Sequence, residues 1–300
     1  MPPHIMTDFY PDFTSHIIET SIGPFTVTSG GQGVPVLFLH GYPQTHAIFR
    51  KIAPMLAPHM TMIMTDLRGY GTSPKPASGV DHSGYAKRAM AGDMIDIMDQ
   101  LGIEKFAVVG HDRGGRVAHR LAKDYPERIT HLSVLDIAPT YAMYEGTDKK
   151  FATAYYHWFF LIQKAPLPET LIGQNPEFYL RQKLQMWSKS EGWLDDAAFQ
   201  AYLDAFQNED VIHASCEDYR AAAGIDLIHD EADLTEKLSM PVQVLWGEKG
   251  FVGARYDVIA EWQKVAHHVT GHAVPYGHFL PEEAPQETAE ALLSFLPPHQ

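Results

Sequence analysis

The stretch Gly110-His111-Asp112-Arg113-Gly114 contains the residue best placed to act as a nucleophile. It follows an apolar run, residues 106–109, and opens a segment with the apolar spacing of a helix, residues 115–122. A sharp turn between a strand and a helix is the setting of the G-x-S-x-G nucleophile elbow, here with Asp112 in the place of serine. A carboxylate at that point predicts attack on a carbon that bears a leaving group, giving an ester of the enzyme itself.

His278 is the candidate general base. In proteins with a nucleophile elbow the nucleophile, the acid and the histidine follow one another in that order along the chain. His278 stands after the last strand-like run, residues 267–274, and before a final helical pattern, residues 285–295. The chain has 17 histidines, so the position of His278, and not its residue type, identifies it as the base.

The acid that would orient His278 has two candidates. In many proteins of this kind it follows the next-to-last strand, but the segment there, Trp246-Gly-Glu-Lys-Gly250, has Gly250 where the aspartate would stand. Glu248 remains in that loop. Asp136 follows a buried strand-like run, and from the end of a neighbouring strand it can reach the same histidine. Asp136 is the preferred acid; Glu248, or no acid at all, is the alternative.

Two backbone N–H groups are expected to form an oxyanion hole. His40-Gly41-Tyr42 follows a strong strand-like run, and its loop would supply one N–H group, from Tyr42. The second would come from Arg113, the residue after the nucleophile. A tight turn made by His40 and Gly41 is the simpler interpretation of this loop, and it is compatible with the first.

Two arginines follow the nucleophile on the predicted helix. Arg113 and Arg116 are three residues apart and therefore share one face of it. Buried arginines must be paired or face a polar cavity, and the planar guanidinium fork binds both oxygens of a carboxylate. We expect a clamp for a substrate anion that also keeps Asp112 ionised. The alternative is a solvated stripe that continues through Arg120.

Short apolar runs alternate with helical patterns along much of the chain. This alternation predicts an α/β fold with a mostly parallel central sheet and helices on both faces. Residues 17–22 and 25–29 predict an antiparallel hairpin at its edge. The other predicted strands are residues 34–39, 60–64, 106–109, 132–135 and 242–246, and the clearest predicted helices are residues 85–101 and 115–125.

The alternation breaks between about residues 140 and 232, where only helical patterns are found. This stretch holds 16 of the 34 Phe, Trp and Tyr residues, which makes it a candidate lining for a pocket as well as an ordinary aromatic core. The simplest account is a helical cap inserted after one strand. We therefore expect a core domain of residues 1–139 and 236–300 and a cap domain of residues 140–235.

Charge and cysteine content limit the kinds of partner. With 23 Lys and Arg against 37 Asp and Glu, the net charge is −14, which argues against nucleic acid and anionic membranes. An anionic substrate would need a locally basic site. Cys216 is the single cysteine, so an intrachain disulfide is excluded, a reducing compartment is expected, and a nucleophilic role is disfavoured because it lies in no elbow.

The N-terminal residues lack the basic region and apolar core of a signal peptide. No apolar run approaches the roughly 20 residues of a transmembrane helix. The sequence therefore predicts a cytoplasmic protein.

Taken together, these motifs resemble the fluoroacetate dehalogenases of the α/β-hydrolase superfamily, over nearly the whole chain. Members that act on haloalkanes or epoxides typically carry Trp after the nucleophilic Asp, whereas Arg113 fits an acid substrate. Tyr42 departs from the Phe found in many members. The segments that carry the resemblance are Phe38-Leu-His-Gly-Tyr-Pro-Gln-Thr-His46, Asp66-Leu-Arg-Gly-Tyr-Gly71, Gly110-His-Asp-Arg-Gly-Gly-Arg-Val-Ala-His-Arg120 and Tyr276-Gly-His278.

The resemblance implies roles for particular residues. The triad falls on Asp112, Asp136 and His278, and the carboxylate clamp on Arg113 and Arg116. A halide pocket, which the residues alone would not indicate, falls on His157, Trp158 and Tyr219. No cofactor or metal is implied. The sequence itself does not indicate an oligomeric state, and the resemblance suggests a homodimer.

We therefore expect a hydrolase that removes halide from a small haloacid, fluoroacetate above all, and releases glycolate. The runner-up is an epoxide hydrolase with the same Asp nucleophile and with Tyr155, Tyr156 or Tyr219 as the ring-opening acid. A non-catalytic protein that binds a small ligand with this fold is a third possibility, which the complete triad disfavours.

Overall fold

The computed structural model describes residues 9–297. Residues 1–8, which include most of the segment predicted not to be a signal peptide, and residues 298–300 lie outside it. The strands are β1 (Thr14–Thr20), β2 (Gly23–Gly31), β3 (Val34–Leu39), β4 (Met60–Thr65), β5 (Phe106–His111), β6 (Ile129–Leu135), β7 (Val242–Gly247) and β8 (Val269–Val274).

The helices cover both faces of the sheet and fill the interval between β6 and β7. They are α1 (Ala53–Leu56), α2 (Lys87–Gln100), α3 (Arg113–Asp124), α4 (Thr140–Glu145), α5 (Lys149–Ala154), α6 (Tyr156–Leu161), α7 (Leu167–Gly173), α8 (Pro176–Trp187), α9 (Asp196–Phe206), α10 (Glu209–Ala222), α11 (Ile225–Ala232), α12 (Phe251–Arg255), α13 (Val258–Val265), α14 (Leu280–Glu283) and α15 (Pro285–Phe295). Two 3₁₀ helices span His46–Lys51 and Ser83–Tyr85.

The strands form one sheet in the order β1-β2-β4-β3-β5-β6-β7-β8. β1 and β2 pair antiparallel at one edge, and β2 pairs antiparallel with β4, whereas β4, β3, β5, β6, β7 and β8 run parallel. The predicted α/β fold, the edge hairpin and the parallel sheet are therefore confirmed. The central strands are apolar on both faces because helices cover both faces, and β5 is fully buried.

One predicted helix begins later than its sequence pattern indicates. Residues 83–85 form a 3₁₀ turn, and Ala86, with φ −60° and ψ 147°, is extended, so α2 begins at Lys87. Tyr85 nonetheless packs inward, and its hydroxyl donates to the carbonyl of Pro76 at 2.9 Å. Apolar spacing alone could not reveal this break, since Tyr85 is buried in either conformation.

The carboxyl ends of four parallel strands meet at one edge of the sheet. Leu39 on β3 pairs with Gly110 on β5, His111 pairs with Leu135 at the end of β6, and Leu135 pairs with Leu245 on β7. Loops that leave neighbouring parallel strands at this edge converge, which is where ligands bind in sheets of this kind. Residues after β3, β5, β6 and β7 are thus brought together.

The segment from α4 to α11, called the insertion below, occupies the whole interval between β6 and β7. Its helices pack on one another, α10 against α7, α6 and α9, and α10 also contacts the 3₁₀ turn at residues 83–85. The division into a core domain and a cap domain stays a prediction. Among residues 9–297 no helix is both long enough and apolar enough to cross a membrane.

Candidate active site

The nucleophile elbow is a strained turn between β5 and α3. Asp112 has φ +48°, a value that L residues adopt rarely and that marks functional turns. The glycines on either side permit it. A Cβ on Gly110 would lie 2.4 Å from the carbonyl oxygen of Gly114, and a Cβ on Gly114 would lie 2.2 Å from the carbonyl oxygen of Leu39. The elbow therefore requires both glycines, because the backbones approach too closely for any side chain.

The carboxylate of Asp112 is held from one side. Its Oδ1 accepts a hydrogen bond from the backbone N–H of Tyr42 at 2.9 Å. Burial would raise the pKa of Asp112, but the electrostatic influence of His278, His111, Arg116 and Arg113 outweighs burial and lowers it. Asp112 is thus an ionised, buried carboxylate, which is the state that a nucleophile requires.

The loop that carries Tyr42 is fixed by His40. Nε2 of His40 accepts a hydrogen bond from the backbone N–H of Leu67 at 3.0 Å, so Nδ1 carries the proton and donates to the carbonyl of Gly41 at 3.0 Å. Arg113 opens α3, and N–H groups in the first turn of a helix have no partner within the helix. Both expected oxyanion donors therefore lie beside Asp112, one in the β3 loop and one in the elbow.

His278 lies between two carboxylates. Its Nδ1 donates to Oδ2 of Asp136 at 2.6 Å, and its Nε2 lies 4.0 Å from Oδ2 of Asp112. Nε2 is buried and has no partner among the described residues. Burial lowers the pKa of His278, but the hydrogen bond and charge of Asp136, followed by the charge of Asp112, raise it overall. A histidine oriented in this way can take a proton from a water that enters near Asp112.

The structure places Asp136, and not Glu248, at His278. Asp136 has φ +53°, and its Oδ1 accepts the backbone N–H of Gly247 at 2.9 Å. Glu248 is exposed. A Cβ on Gly250 would lie 3.6 Å from Oδ1 of Asp136. Gly250 occupies the loop position where related proteins often carry the acid, so that position lies next to Asp136, the acid of this chain.

Arg113 is already paired. Its Nε and Nη2 donate to the two carboxylate oxygens of Asp218 on α10, at 2.9 and 2.6 Å. Asp218 also accepts from the ammonium of Lys87 and, at 2.7 Å, from the hydroxyl of Tyr70. Only Nη1 of Arg113 remains without a partner among the described residues. Sequence reasoning missed Asp218, although a buried arginine requires an anion and Asp218 stands directly beside Tyr219.

Arg116 has no carboxylate partner among the described residues. Its Nη1 donates to the carbonyl of Ala138 at 3.2 Å and to Oγ1 of Thr140 at 2.9 Å, while Nη2 contacts Sδ of Met143 at 3.2 Å. Nε has no hydrogen-bond partner within residues 9–297. Burial, and then the charge of Arg113, lower the pKa of Arg116. The result is a buried cation beside the nucleophile that has no carboxylate within ion-pair distance among residues 9–297.

The solvated arginine stripe is not found. Arg113, Arg116 and Arg120 are 0, 3 and 3 % exposed. Arg120 points away from the site and pairs with Asp230 and Asp233 at 2.6 and 2.5 Å. Arg116 is thus the one member of this helix face for which the described residues supply no anion.

The three expected halide-binding side chains come together from α6 and α10. The ring centroid of Tyr219 lies 5.6 Å from that of His157 and 6.4 Å from that of Trp158. Nδ1 of His157, Nε1 of Trp158 and the hydroxyl of Tyr219 are all buried, and none has a partner among the described residues. Burial and then Asp112 raise the pKa of Tyr219 well above its usual value, so its hydroxyl stays protonated. Three hydrogen-bonding groups are therefore unsatisfied at one place, as an anion site requires.

The guanidinium groups pack on the same rings. The guanidinium carbon of Arg113 lies 4.2 Å from the ring centroid of Tyr219, and that of Arg116 lies 4.8 Å from that of Trp158. The two arginines and the two aromatic residues hence form one cluster, in which each cation lies over a ring.

A cavity of about 340 Å³ leads from the surface to the triad. Asp112, Asp136 and His278 line its floor, and His157 lines its wall. Trp187 on α8 also lines it, with its ring centroid 5.5 Å from that of His278, and its backbone carbonyl accepts the N–H of His278 at 3.1 Å. Sequence reasoning missed Trp187, because nothing in the spacing of α8 distinguishes it from core aromatics.

Two other reactive groups stay outside the site. Burial raises the pKa of the Cys216 thiol, so it remains a protonated core residue. Glu169, His213 and Glu217 are close enough together to hold a cation. The guanidinium of Arg220 already donates hydrogen bonds to Glu169 and Glu217, at 2.7 and 2.6 Å, so it compensates the negative charge of these carboxylates.

The sequence of this chain is similar to those of known hydrolases. The α/β-hydrolase fold model matches residues 34–285. A fluoroacetate dehalogenase from Burkholderia sp. is 38 % identical over 95 % of this chain and 94 % of its own. A soluble epoxide hydrolase from Corynebacterium sp. (strain C12) is 34 % identical over 90 % of this chain and 92 % of its own.

A solved structure gives the same picture of the fold. A protein from Nostoc sp. PCC 7120 assigned as an α/β hydrolase superposes with a TM-score of 0.94 at 55 % identity, covering 95 % of this chain and 98 % of the other. The match spans the sheet, the elbow and the insertion alike. The protein belongs to the α/β-hydrolase family.

Proposed function

We propose that this hydrolase removes halide from small 2-haloacids, with fluoroacetate as the model substrate and glycolate as the product. The observation that carries the proposal is Arg116, a buried guanidinium beside the nucleophile with no carboxylate partner among the described residues. A substrate carboxylate would supply the missing anion. The similarity to a fluoroacetate dehalogenase supports the same reaction class.

The first step is a displacement at carbon. Arg116, with the free Nη1 of Arg113, holds the substrate carboxylate so that the α-carbon lies in line with Asp112. Oδ2 of Asp112 attacks that carbon because Oδ1 is engaged by the Tyr42 N–H. The carbon–halogen bond breaks and its electron pair leaves with the halide. His157, Trp158 and Tyr219 receive the halide, since their polar atoms have no other partner.

The second step is hydrolysis of the aspartyl ester. Nε2 of His278 takes a proton from water, and the resulting hydroxide attacks Cγ of Asp112. The Tyr42 N–H already points at Oδ1, which becomes the oxyanion, and the Arg113 N–H is the second donor. Collapse of this intermediate expels glycolate, which takes the proton from His278, and leaves Asp112 as a carboxylic acid. Its proton, which came from the attacking water, is released to solvent and the carboxylate is restored. Asp136 stabilises the charged histidine in between.

Epoxide opening is the second candidate, and it is supported by the similarity to a soluble epoxide hydrolase. It would use the same Asp112 ester and a tyrosine hydroxyl as acid. The hydroxyl of Tyr219 is protonated and has no partner in the described part of the chain, and Tyr155 lines the cavity, so either could serve. Tyr156 is 40 % exposed and lies outside the cavity lining. A neutral epoxide would place no carboxylate at Arg116, which makes this candidate the weaker one.

A direct comparison of substrates tests the proposal. Purified protein is incubated with fluoroacetate, chloroacetate and styrene oxide, and free halide and diol are measured. We expect halide from the acids and little or no diol. Diol formation without halide release would overturn dehalogenation in favour of epoxide hydrolysis. Asp112→Asn is the control, since it removes the nucleophile in both reactions.

A further inference from the structure

Lys183 on α8 is a buried cation that the mechanism above does not use. Its side chain is fully buried, and Nζ has no hydrogen-bond partner among the described residues. No carboxylate of residues 9–297 lies within ion-pair distance of it, in contrast to Lys87, which is paired with Asp218. Burying an ammonium without a counter-ion costs several kcal/mol. Burial of the Lys183 ammonium therefore lowers the stability of the fold, and its presence calls for a functional explanation.

Aromatic rings surround this ammonium. Nζ lies 3.6 Å from the ring centroid of Tyr156, 5.3 Å from that of Tyr179 and 5.5 Å from that of Trp187. The negative faces of such rings attract a cation and replace part of its lost hydration. The rings thus hold a positive charge in place without cancelling it, as a carboxylate would.

The ammonium of Lys183 and His157 of the expected halide pocket both lie near the ring of Trp187. Trp187, one helical turn further along α8, has its ring centroid 4.6 Å from that of His157. Tyr179 accepts a hydrogen bond from the hydroxyl of Tyr42 at 3.2 Å. Burial, and next the charge of Lys183, hold the pKa of His157 well below its usual value. His157 is therefore neutral because of its burial and this neighbour.

We propose that Lys183 is a positioning residue for the leaving group: its ammonium supplies positive potential behind His157 and Trp187 and stabilises the negative charge that develops on the departing halide. This inference rests on the proposed dehalogenase function. Fluoride concentrates its charge more than chloride does, and it is the poorer leaving group. The contribution of Lys183 should accordingly be larger for fluoroacetate than for chloroacetate.

The test compares three variants with the wild type. Lys183→Met keeps the length of the side chain and removes the charge, Lys183→Arg keeps the charge, and Lys164→Met removes an exposed lysine of the same insertion as the matched control. We expect Lys183→Met to lower the rate of halide release from fluoroacetate in the first turnover about tenfold, less than the loss of a direct donor. The loss for chloroacetate should be smaller, KM should change little, and Lys183→Arg should recover part of the rate.

A pH profile of the halide burst separates charge from packing. The groups that face Nζ are Tyr156 and His157 from α6 and Tyr179 and Trp187 from α8 itself, none of them a carboxylate. Burial lowers the pKa of Lys183 to about 7. The wild-type burst with fluoroacetate should therefore slow as pH rises above neutrality, and the burst of Lys183→Met should be flat, because a lowered pKa keeps Asp112 ionised throughout.

The outcomes distinguish the two proposals. If the wild type releases no halide from either acid, the proposed function fails and the role of Lys183 fails with it. If the wild type dehalogenates but Lys183→Met matches Lys164→Met, or loses both acids equally with an unchanged pH profile, only the role of Lys183 is overturned. A lower melting temperature of Lys183→Met with the fluoride-to-chloride ratio preserved would make Lys183 a packing residue.

Discussion

Nδ1 of His278 donates a 2.6 Å hydrogen bond to Oδ2 of Asp136, which directly follows β6 and does not belong to the loop after β7 where Gly250 stands. Gly250 nevertheless lies beside this contact, since a Cβ there would be 3.6 and 3.7 Å from the two carboxylate oxygens of Asp136. Two neighbouring strands can therefore present an acid to the same histidine, and this chain uses one of them.

The acid should be transferable between these strands. Asp136→Gly suits the positive φ at this position and should lower kcat by about 10³- to 10⁴-fold, because His278 loses its orienting anion. Adding Gly250→Asp, at a residue with an ordinary φ of −81°, should recover at least tenfold. Steady-state halide release measures both effects. Gly250→Asp in the wild-type background is the control, and a double variant no better than Asp136→Gly would contradict the transfer.

The rate of turnover should fall as the pH is lowered and His278 becomes protonated. The base must be unprotonated, and the hydrogen bond and charge of Asp136 outweigh burial and raise the pKa of His278. Steady-state kcat should thus decline as pH falls through a pKa raised above the ordinary value of a histidine. In Asp136→Asn the effect of burial outweighs the remaining charges and lowers the pKa of His278. The residual activity should therefore begin to decline only at a lower pH than in the wild type. An acid limb at the same pH in both proteins would assign it to another group.

Arg116→Gln should abolish recognition of the substrate carboxylate. Losing the charged hydrogen bonds of one guanidinium lowers kcat/KM for a haloacetate by about 10²-fold or more. Acetate carries the same carboxylate and no leaving group, so calorimetry should detect acetate binding to the wild type and not to the variant. The matched control is Arg128→Gln, which removes a partly exposed arginine paired with Asp99. Equal acetate affinity in both variants would refute the clamp.

Asp218 should support stability as well as the site. Asp218→Asn leaves Arg113 and Lys87 as buried cations with weakened partners, which costs about 3–5 kcal/mol of unfolding free energy. Asp99→Asn removes the carboxylate of an exposed ion pair with Arg128 and should cost at most about 1 kcal/mol. Urea denaturation compares the two. Similar losses in both variants would mean that Asp218 is not the counter-ion of this cluster.

Association with an anionic substrate should depend on ionic strength. Lys189 and Lys249 line the cavity and are in no ion pair with the described residues, in a chain of net charge −14. Lys189→Gln with Lys249→Gln should lower kcat/KM at low salt several-fold, and the difference should shrink above about 0.2 M salt. Lys105→Gln with Lys237→Gln, which precede β5 and β7 at the opposite edge of the sheet, is the control pair.

The sheet could be predicted closely because buried parallel strands are continuous apolar runs. β3 matches the predicted residues 34–39 and α15 matches 285–295. Asp112 could be located because the glycines around it are required by backbone contact and leave a readable motif. The start of α2 was missed because Tyr85 is buried on both sides of the break.

The part of the site built by the insertion was less predictable. The pairing of Arg113 with Asp218 joins residues 105 positions apart, and no local spacing encodes that distance. Trp187 and Lys183 look like one turn of an ordinary amphipathic helix until the burial of Nζ is known. Side chains of the insertion's helices come into contact through tertiary packing, which no local sequence pattern encodes. The carboxyl ends of neighbouring parallel strands, in contrast, always lie at the same end of the sheet.

The hydrogen bond from the Tyr42 N–H to Oδ1 of Asp112 makes the two oxygens of one carboxylate inequivalent. If Oδ1 is anchored and Oδ2 attacks, each turnover exports the oxygen at the Oδ2 position as the glycolate hydroxyl and refills that position from water. In oxygen-18 water the first glycolate should be unlabelled and later ones labelled. The peptide that contains Asp112 should gain about 2 Da and not 4, because Oδ1 stays in the enzyme through every cycle.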